Sequence, residues 1–366
     1  MSKMLPYSPF FTFLRCTLEN KPAPVDVIKD MDWKELMAFA AKQAIVGIAF
    51  EGVKLCRQRC PEYVSKQDLM RGLMPSEKIR ERNRILSQRC VELQKILSDA
   101  GFRSSILKGQ GLAKYYSEEL SHARGNGDID VYVDCGREKA IAFAKSLGQK
   151  DVHWDYKHLH LHIWEDTSIE LHYRVEIVQN PLKNARLQRW FDKNKELLFH
   201  DDGRMVTPSI TMNLFYILLH MYSHFLGSGI GMKQLIDYYF VVRSANGQFG
   251  CFSDGKTLND VLKSFGMIRF AGGVEWILHE MLGLDQRYMY CPMNEREGRY
   301  ILNEMILSGN LGKSDERVEK FRNMGKVGDA LYICKHNAHL VRQYPEDALM
   351  STLWYIWHKA WMIMNK

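Results

Sequence analysis

Long apolar segments are missing from this chain. No stretch approaches the roughly 18 consecutive apolar residues that a membrane-spanning helix needs. The first residues, MSKMLPYSPFFTFLRC, contain one early lysine, two prolines and no small-residue cleavage site, so we expect no signal peptide. These absences predict a protein without a membrane span.

Cysteine pairs and basic tracts are also scarce. The eight cysteines are scattered over 366 residues, and the one close pair, Cys56 and Cys60, has no second pair that would complete a zinc site. We therefore expect reduced thiols and a cytoplasmic location. Lys/Arg-rich tails and basic stretches interleaved with aromatic residues are absent, which disfavours nucleic acid as a partner. The net charge of +7 is mild and is compatible with an anionic substrate.

Helical spacing of apolar residues dominates the N-terminal region, residues 1–95. The clearest segment is SEKIRERNRILSQRCVELQKILSDAG, in which the apolar positions follow steps of three, four and seven. For this segment we predict Ser76 as the N-cap and Gly101 as the glycine that ends the helix.

The spacing then changes to a period of two, and strands alternate with helices through residues 96–205. Helical spacing returns at Thr207-Pro208, which we predict to be the N-cap and first position of a helix, and it continues through residues 206–366. The sequence thus predicts an α+β fold. A small mixed β-sheet core lies between an N-terminal helical region and a C-terminal helical domain.

Carboxylates occur at unusual places in two predicted strands, DIDVYVD and SIELHYRV. Because side chains alternate across a strand, Asp128, Asp130 and Glu170 lie on the polar faces, opposite the apolar residues that face the helices. Three clustered carboxylates repel one another unless a cation neutralises them, and oxygen ligands suit Mg²⁺ or Mn²⁺. The pattern predicts an open cleft with two such ions, as in phosphoryl transfer. A solvated strand face is the alternative.

Upstream of these acids, ILKGQG ends one predicted strand and begins a helix. A glycine turn before a helix offers backbone N–H groups and a positive dipole end to a phosphate. Lys108 adds a point charge, and Arg124 adds a bidentate donor. The alternative is a purely structural turn, and the acids that follow favour phosphate binding.

The order of these motifs resembles the nucleotidyltransferase superfamily that includes DNA polymerase β, and more narrowly the uncharacterised nucleotidyltransferase family of bacterial proteins. The resemblance covers about residues 95–245. It rests on Lys108-Gly109, the Leu112 to Tyr116 segment, Arg124, Asp128-Ile129-Asp130, Glu170-Leu171-His172, and His220 with His224.

This resemblance implies an enzyme that transfers a nucleoside monophosphate, AMP from ATP in the first instance, to a hydroxyl of a small molecule or protein and releases pyrophosphate. It implies that Asp128, Asp130 and Glu170 are catalytic and hold two Mg²⁺ or Mn²⁺ ions. The nucleotide contacts that it implies are Lys108, Gly109, Gln110, Arg124 and His172.

Three residues of the C-terminal helices are further candidates for contact with the acceptor or nucleotide. His220 and His224 are four apart and share a helix face. They are structural histidines, cleft contacts or metal ligands, although no glutamate follows His220 as in a metalloprotease motif. Asp237 on the next helix is either a cleft contact or an ordinary acid of an amphipathic helix.

Two hypotheses for the function stay open. The first is the metal-dependent nucleotidyltransferase, and the second is a catalytically degenerate nucleotide-binding or partner-binding scaffold with the same fold. The three acids favour the enzyme, because a binding module has no need of them. The C-terminal Trp354, Trp357 and Trp361 predict packing on the core or on a partner helix, with attachment to a membrane surface as the alternative.

Overall fold

The computed structural model describes residues 8–312, the single positions 328, 335 and 338, and residues 340–365. Cys334 and the first seven residues of the chain lie outside this part. The other seven cysteines are free thiols. In the described residues, no helix has the length and apolar character that crossing a membrane requires.

Helices form the whole N-terminal region. Their bounds are α1 Ser8–Leu18, α2 Val25–Lys29, α3 Trp33–Lys42, α4 Val46–Arg59 and α5 Lys66–Asp99. The prediction that Ser76 begins the last of these is wrong. Ser65 is the N-cap and forms a reciprocal capping box with Asp68, and the helix continues through Pro75. Gly101 follows the end of α5 with a φ of +81°, as the sequence predicts.

The central region forms a four-stranded mixed sheet. Its elements are β1 Ser104–Ile106, α6 Glu118–Ala123, β2 Ile129–Val133, α7 Arg137–Ser146, β3 His158–Trp164, β4 Thr167–His172 and α8 Pro181–Lys193. The strand order is β1-β2-β4-β3, in which β2 and β4 are parallel and the other neighbours are antiparallel. The sequence predicts one short helix over GLAKYYSEEL, residues 111–120. The structure instead has a 3₁₀-helix over residues 109–115, which is followed by α6.

One face of the sheet is apolar and packs on helices. Alternate residues of β2, β3 and β4 join the second half of α5 and the inner face of α7 in one buried cluster; its members include Leu86, Leu93, Val131, Phe143, Leu161 and Leu171. The C-terminal half of α5 therefore belongs physically to the sheet's core. The boundaries at residues 95 and 205 stay a prediction.

The remaining helices follow a two-stranded hairpin. The elements are β5 His200–Asp201, β6 Val206–Thr207, α9 Ile210–Gly227, α10 Met232–Ala245, α11 Leu258–Ser264, α12 Ile268–Glu280, α13 Glu295–Ser308 and α14 Pro345–Asn365. Thr207 is extended and pairs with His200, so the prediction that it caps α9 is wrong. The N-cap is Ser209, whose side chain accepts a hydrogen bond from the Met212 N–H.

The tryptophans of α14 pack against the central region. The ring centroids of Trp354, Trp357 and Trp361 lie 5.1, 5.6 and 5.4 Å from that of Tyr156. Edge-to-face contacts of this kind stabilise aromatic clusters. A cavity of about 430 Å³ lies between α8 and α14 beside this cluster, and Arg174 also lines it. The helices and the four-stranded sheet as a whole confirm the α+β fold, with a small mixed sheet and helical flanks.

Candidate active site

The three predicted acids meet on the polar side of the sheet. Asp130 of β2 lies directly opposite Glu170 of β4 in the parallel register, and Asp128 immediately precedes β2. One carboxylate oxygen from each residue lies within 4.8 Å of the other two. That spacing fits hard divalent cations, which oxygen ligands hold. Asp130 is only 2% exposed, so this face is more enclosed than the open cleft that the sequence predicts.

Lys108 neutralises the most deeply buried of these acids. Its ammonium lies 3.0 Å from the Asp130 carboxylate and 3.4 Å from Nε2 of His220. Burial alone would lower the pKa of Lys108, but the charges of Asp130, Asp128 and Glu170 outweigh it and raise that pKa. Lys108 is therefore a fixed positive charge next to the acids.

The acids themselves differ in electrostatic environment. Burial and the charge of Asp130 raise the pKa of Asp128. Burial would also raise the pKa of Asp130, but the charge of Lys108 and a hydrogen bond from His172 hold it well below its usual range. The charge of Lys108 offsets only part of the rise at Asp128, and Asp128 makes no ion pair among the residues that the structure describes. A bound cation would stabilise its ionised form.

His172 of β4 and His158 of β3 lie next to the three acids. Nε2 of His172 lies 3.2 Å from Asp130 and 3.4 Å from Glu170. Burial would lower the pKa of His172, but its hydrogen bonds with these carboxylates raise it. His158 of β3 lies 3.7 Å from Glu170, and burial with the nearby His172 lowers its pKa to about 4. His158, Glu170 and His172 form a second group whose ligand atoms lie within 4.8 Å of one another.

The turn after β1 brings backbone close to the acids. Gly109 has a φ of +61°, a left-handed conformation that favours glycine. A Cβ at Gly111 would lie 2.6 Å from the carbonyl oxygen of Ile106, so only glycine fits this close approach. The shape of the turn that carries Lys108 therefore favours glycine at position 109 and requires it at position 111.

Gln110 holds this turn against α5. Its amide donates to Asn83 Oδ1 at 3.2 Å, and its carbonyl oxygen accepts from the Ser87 hydroxyl at 2.9 Å. Asn126 donates to the same Asn83 oxygen at 2.8 Å. Asn83 of α5 therefore links the turn at Gln110 to the segment that precedes Asp128.

The comparisons with known proteins agree with this geometry. The family described as uncharacterised nucleotidyltransferases matches residues 29–283, which is more than half of the chain. This chain belongs to that family. No curated protein and no solved structure matches it. Family membership confirms the resemblance, and it supports a transferase that acts on nucleotides.

In this nucleotidyltransferase, Arg124 makes a buried pair with Asp237. Its guanidinium donates two hydrogen bonds to the Asp237 carboxylate, at 2.5 and 2.6 Å, and Tyr116 donates a third at 2.5 Å. Arg124 is 3% and Asp237 5% exposed. The nucleotide contacts predicted for Arg124 and Asp237 stay predictions. The structure shows that each is the other's main partner.

The two histidines of α9 occupy the polar side of the nucleotidyltransferase sheet. Nδ1 of His220 lies 2.8 Å from Glu176, while its Nε2 faces Lys108. These partners fit a neutral imidazole that donates from Nδ1 and accepts at Nε2. Burial and the charge of Lys108 lower the pKa of His220 to about 4, which agrees with that form. Burial and His220 hold the pKa of His224 well below 6.5.

Three residues near this centre were not found by sequence reasoning. Glu176 contacts His220 and Lys157, but it lies four residues beyond the end of β4, where no strand period could mark it. Tyr216 lies one helical turn before His220, and its buried hydroxyl has no hydrogen-bond partner among the described residues. Asn83 lies on α5, distant in sequence from the motifs, and carried no signal.

Proposed function

We propose that this protein catalyses metal-dependent transfer of a nucleoside monophosphate, AMP from ATP, to a hydroxyl of a small molecule or protein. The observation that carries this proposal is the meeting of Asp128, Asp130 and Glu170 beside the Lys108 turn. Membership of a nucleotidyltransferase family supports it independently.

Each residue takes a role that its environment supports. Asp128 and Asp130 would hold the ion that accompanies the triphosphate, and Glu170 would complete a second ion site or accept the proton of the acceptor hydroxyl. His172 holds the carboxylates of Asp130 and Glu170 in place. Lys108 offers its positive charge to phosphate oxygens. Bound Mg²⁺ or Mn²⁺ ions would neutralise the triphosphate and the developing charge.

The transfer exchanges one P–O bond for another. The acceptor oxygen forms a bond with the α-phosphorus, and the bond from that phosphorus to the oxygen bridging the α- and β-phosphates breaks. Pyrophosphate leaves with the bonding electron pair. Glu170 is suited to take the proton because, although burial would raise its pKa, a hydrogen bond from His172 lowers it, so the group is ionised at neutral pH.

Titration calorimetry tests this proposal. A non-hydrolysable ATP analogue, GTP, CTP and UTP are each titrated with and without Mg²⁺ into wild type, Asp128→Asn and the Asp128→Asn/Asp130→Asn double variant. Asp128→Asn is the more informative change, because Asp130→Asn also removes the partner of Lys108 and His172. Glu119→Gln, at an exposed acid of α6, is the matched control.

We expect wild type and the Glu119→Gln control to bind one triphosphate more tightly with Mg²⁺ than without it. In Asp128→Asn, this gain in affinity from Mg²⁺ should be lost. Circular dichroism checks that each variant is folded. The proposed metal site would be contradicted if the triphosphate affinity were the same with and without Mg²⁺. It would also be contradicted if Asp128→Asn bound the triphosphate as wild type does. Absence of triphosphate binding in wild type would favour the scaffold hypothesis.

A further inference from the structure

Two histidines and a glutamate form a second group of potential metal ligands beside the three acids. His158 of β3 lies opposite His172 of β4 in the antiparallel register, and Glu170 lies two residues before His172 on the same face. One ligand atom from each of these residues lies within 4.8 Å of the other two. The pairing of β3 with β4 therefore brings two nitrogen ligands and one carboxylate together.

The distances within this group fit a shared metal ion. Nε2 of His158 lies 3.7 Å from one oxygen of Glu170, and Nε2 of His172 lies 3.4 Å from the other oxygen. Metal–ligand bonds of about 2.1 Å at tetrahedral angles hold two ligand atoms about 3.4 Å apart. Both imidazoles thus present Nε2 to the Glu170 carboxylate at close to the separation that one bound ion would set.

The other ring nitrogen of His158 faces a carboxylate. Its Nδ1 lies 3.7 Å from Asp155, and two backbone N–H groups, those of Lys157 and His158, donate to the same Asp155 oxygen and hold it in place. A carboxylate behind a histidine ligand favours the tautomer that carries its proton on Nδ1. Nε2 of His158 then keeps its lone pair for a ligand on the Glu170 side.

His172 would exchange a proton for the ion. Its Nε2 lies 3.2 Å from Asp130 and 3.4 Å from Glu170, so these carboxylates share its proton. Binding of a metal to histidine displaces such a proton. Asp130 keeps a partner in that exchange, because the Lys108 ammonium lies 3.0 Å away. The exchange therefore leaves no buried acid without a positive charge beside it.

The ligand types set this group apart from the three acids. Carboxylates alone suit Mg²⁺, whereas imidazole nitrogen suits first-row transition metals such as Zn²⁺. Glu170 belongs to both groups. Two histidines and one carboxylate also leave coordination positions open for water or substrate, which is the arrangement of catalytic metal sites.

We propose that His158, Glu170 and His172 form a transition-metal site, and that Glu170 bridges it to the ion at the two aspartates. Of the two roles left open for Glu170, this proposal assigns that of ligand to the second ion. The part of this ion in the reaction, which is to orient the acceptor hydroxyl and lower its pKa, rests on the proposed function. The metal site itself is tested with the metal alone.

Titration calorimetry with Zn²⁺ compares wild type with His158→Gln. His158 is the suitable ligand to change, because its Nδ1 has no hydrogen-bond partner among the described residues. His162→Gln, at an exposed histidine of the same strand, is the matched control. Asp128→Asn, which alters only the group of three acids, is measured beside them. Each titration is repeated with excess Mg²⁺, and circular dichroism checks that each variant is folded.

We expect wild type to bind Zn²⁺ at a site that excess Mg²⁺ does not block. His158→Gln should weaken this binding at least about tenfold, because changing only the groups behind a metal ligand already costs about ten- to a hundredfold. His162→Gln should match wild type. Asp128→Asn should lose less Zn²⁺ affinity than His158→Gln, since it keeps all three ligands.

The proposal would be overturned if wild type and His158→Gln bound Zn²⁺ equally, if wild type bound none, or if Mg²⁺ displaced it. The difference between the variants is decisive, because an exposed thiol such as that of Cys251 is also a Zn²⁺ ligand. Triphosphate binding tests the proposed function separately. Zn²⁺ binding as expected without triphosphate binding would remove the proposed function and leave the metal site, and the reverse result would remove only the metal site.

Discussion

The buried pair of Arg124 and Asp237 gives the sharpest prediction about stability. Asp237→Asn removes the negative charge but leaves the guanidinium buried, with Arg124 only 3% exposed. Breaking a buried ion pair from one side costs about 3–5 kcal/mol, because the remaining charge stays desolvated without compensation. Since the pair joins α10 to the end of α6, the variant should also loosen the contact between the C-terminal helices and the sheet region.

The assay is chemical denaturation of wild type and variant, followed by far-UV circular dichroism and tryptophan fluorescence. We expect a lower free energy of unfolding in Asp237→Asn by about 3–5 kcal/mol. An exposed pair provides the control: Glu196→Gln, which removes the partner of Arg103, should leave the free energy of unfolding close to that of wild type. A loss below about 1 kcal/mol for Asp237→Asn would refute the reasoning.

A charge-free variant separates the structural role of Arg124 from its predicted phosphate contact. The variant combines Arg124→Met and Asp237→Leu, which remove both charges, with Tyr116→Phe. The third change is needed because the Tyr116 hydroxyl would lose its partner, and a buried unpaired hydroxyl costs about 1–3 kcal/mol of stability. Replacing a whole buried ionic group with apolar residues is often neutral for stability. If this variant folds and keeps wild-type affinity for the triphosphate, Arg124 is a structural residue only. A folded variant that loses affinity would support the phosphate contact.

Two further predictions concern the histidine of α9 and the glycine turn. The pKa of His220 is about 4 in the folded state and 6.5 in the unfolded state, so the folded state favours the neutral imidazole. The contribution of His220 to the free energy of unfolding is therefore complete above pH 6.5 and is lost as the pH falls toward 4. The loss is about 3 kcal/mol at most. Denaturation of wild type and His220→Gln between pH 7.5 and 4.5 should show a steeper loss in wild type, and parallel curves would contradict it. Gly109 has a φ of +61°, and a Cβ there would meet no atom closer than Asn126 Oδ1 at 3.6 Å. Gly109→Ala should therefore lower the free energy of unfolding by about 1–2 kcal/mol, from backbone strain alone. Thermal unfolding should show a smaller loss for Gly109→Asn, because asparagine tolerates this conformation, and equal losses would point to a steric cause.

Local periodicity determined much of the fold. Alternation in β2 and β4 was enough to place Asp128, Asp130 and Glu170 on one face, because side chains of a strand point alternately to its two sides. The change from helical spacing to a period of two also marked where the sheet begins. Where local signals misled, a longer-range effect was responsible. α5 continues through Pro75, because the packing of a long helix outweighs one lost backbone hydrogen bond.

Tertiary structure alone decided the partners of the buried polar residues around the site. Arg124 and Asp237 are 113 positions apart, and Glu176 and His220 are 44 apart. No local period links such residues, because their approach depends on how α9 and α10 pack over the sheet. Strand parity thus determined the acidic face, whereas the packing of the C-terminal helices decided which charges around it are neutralised and which stay available to a ligand.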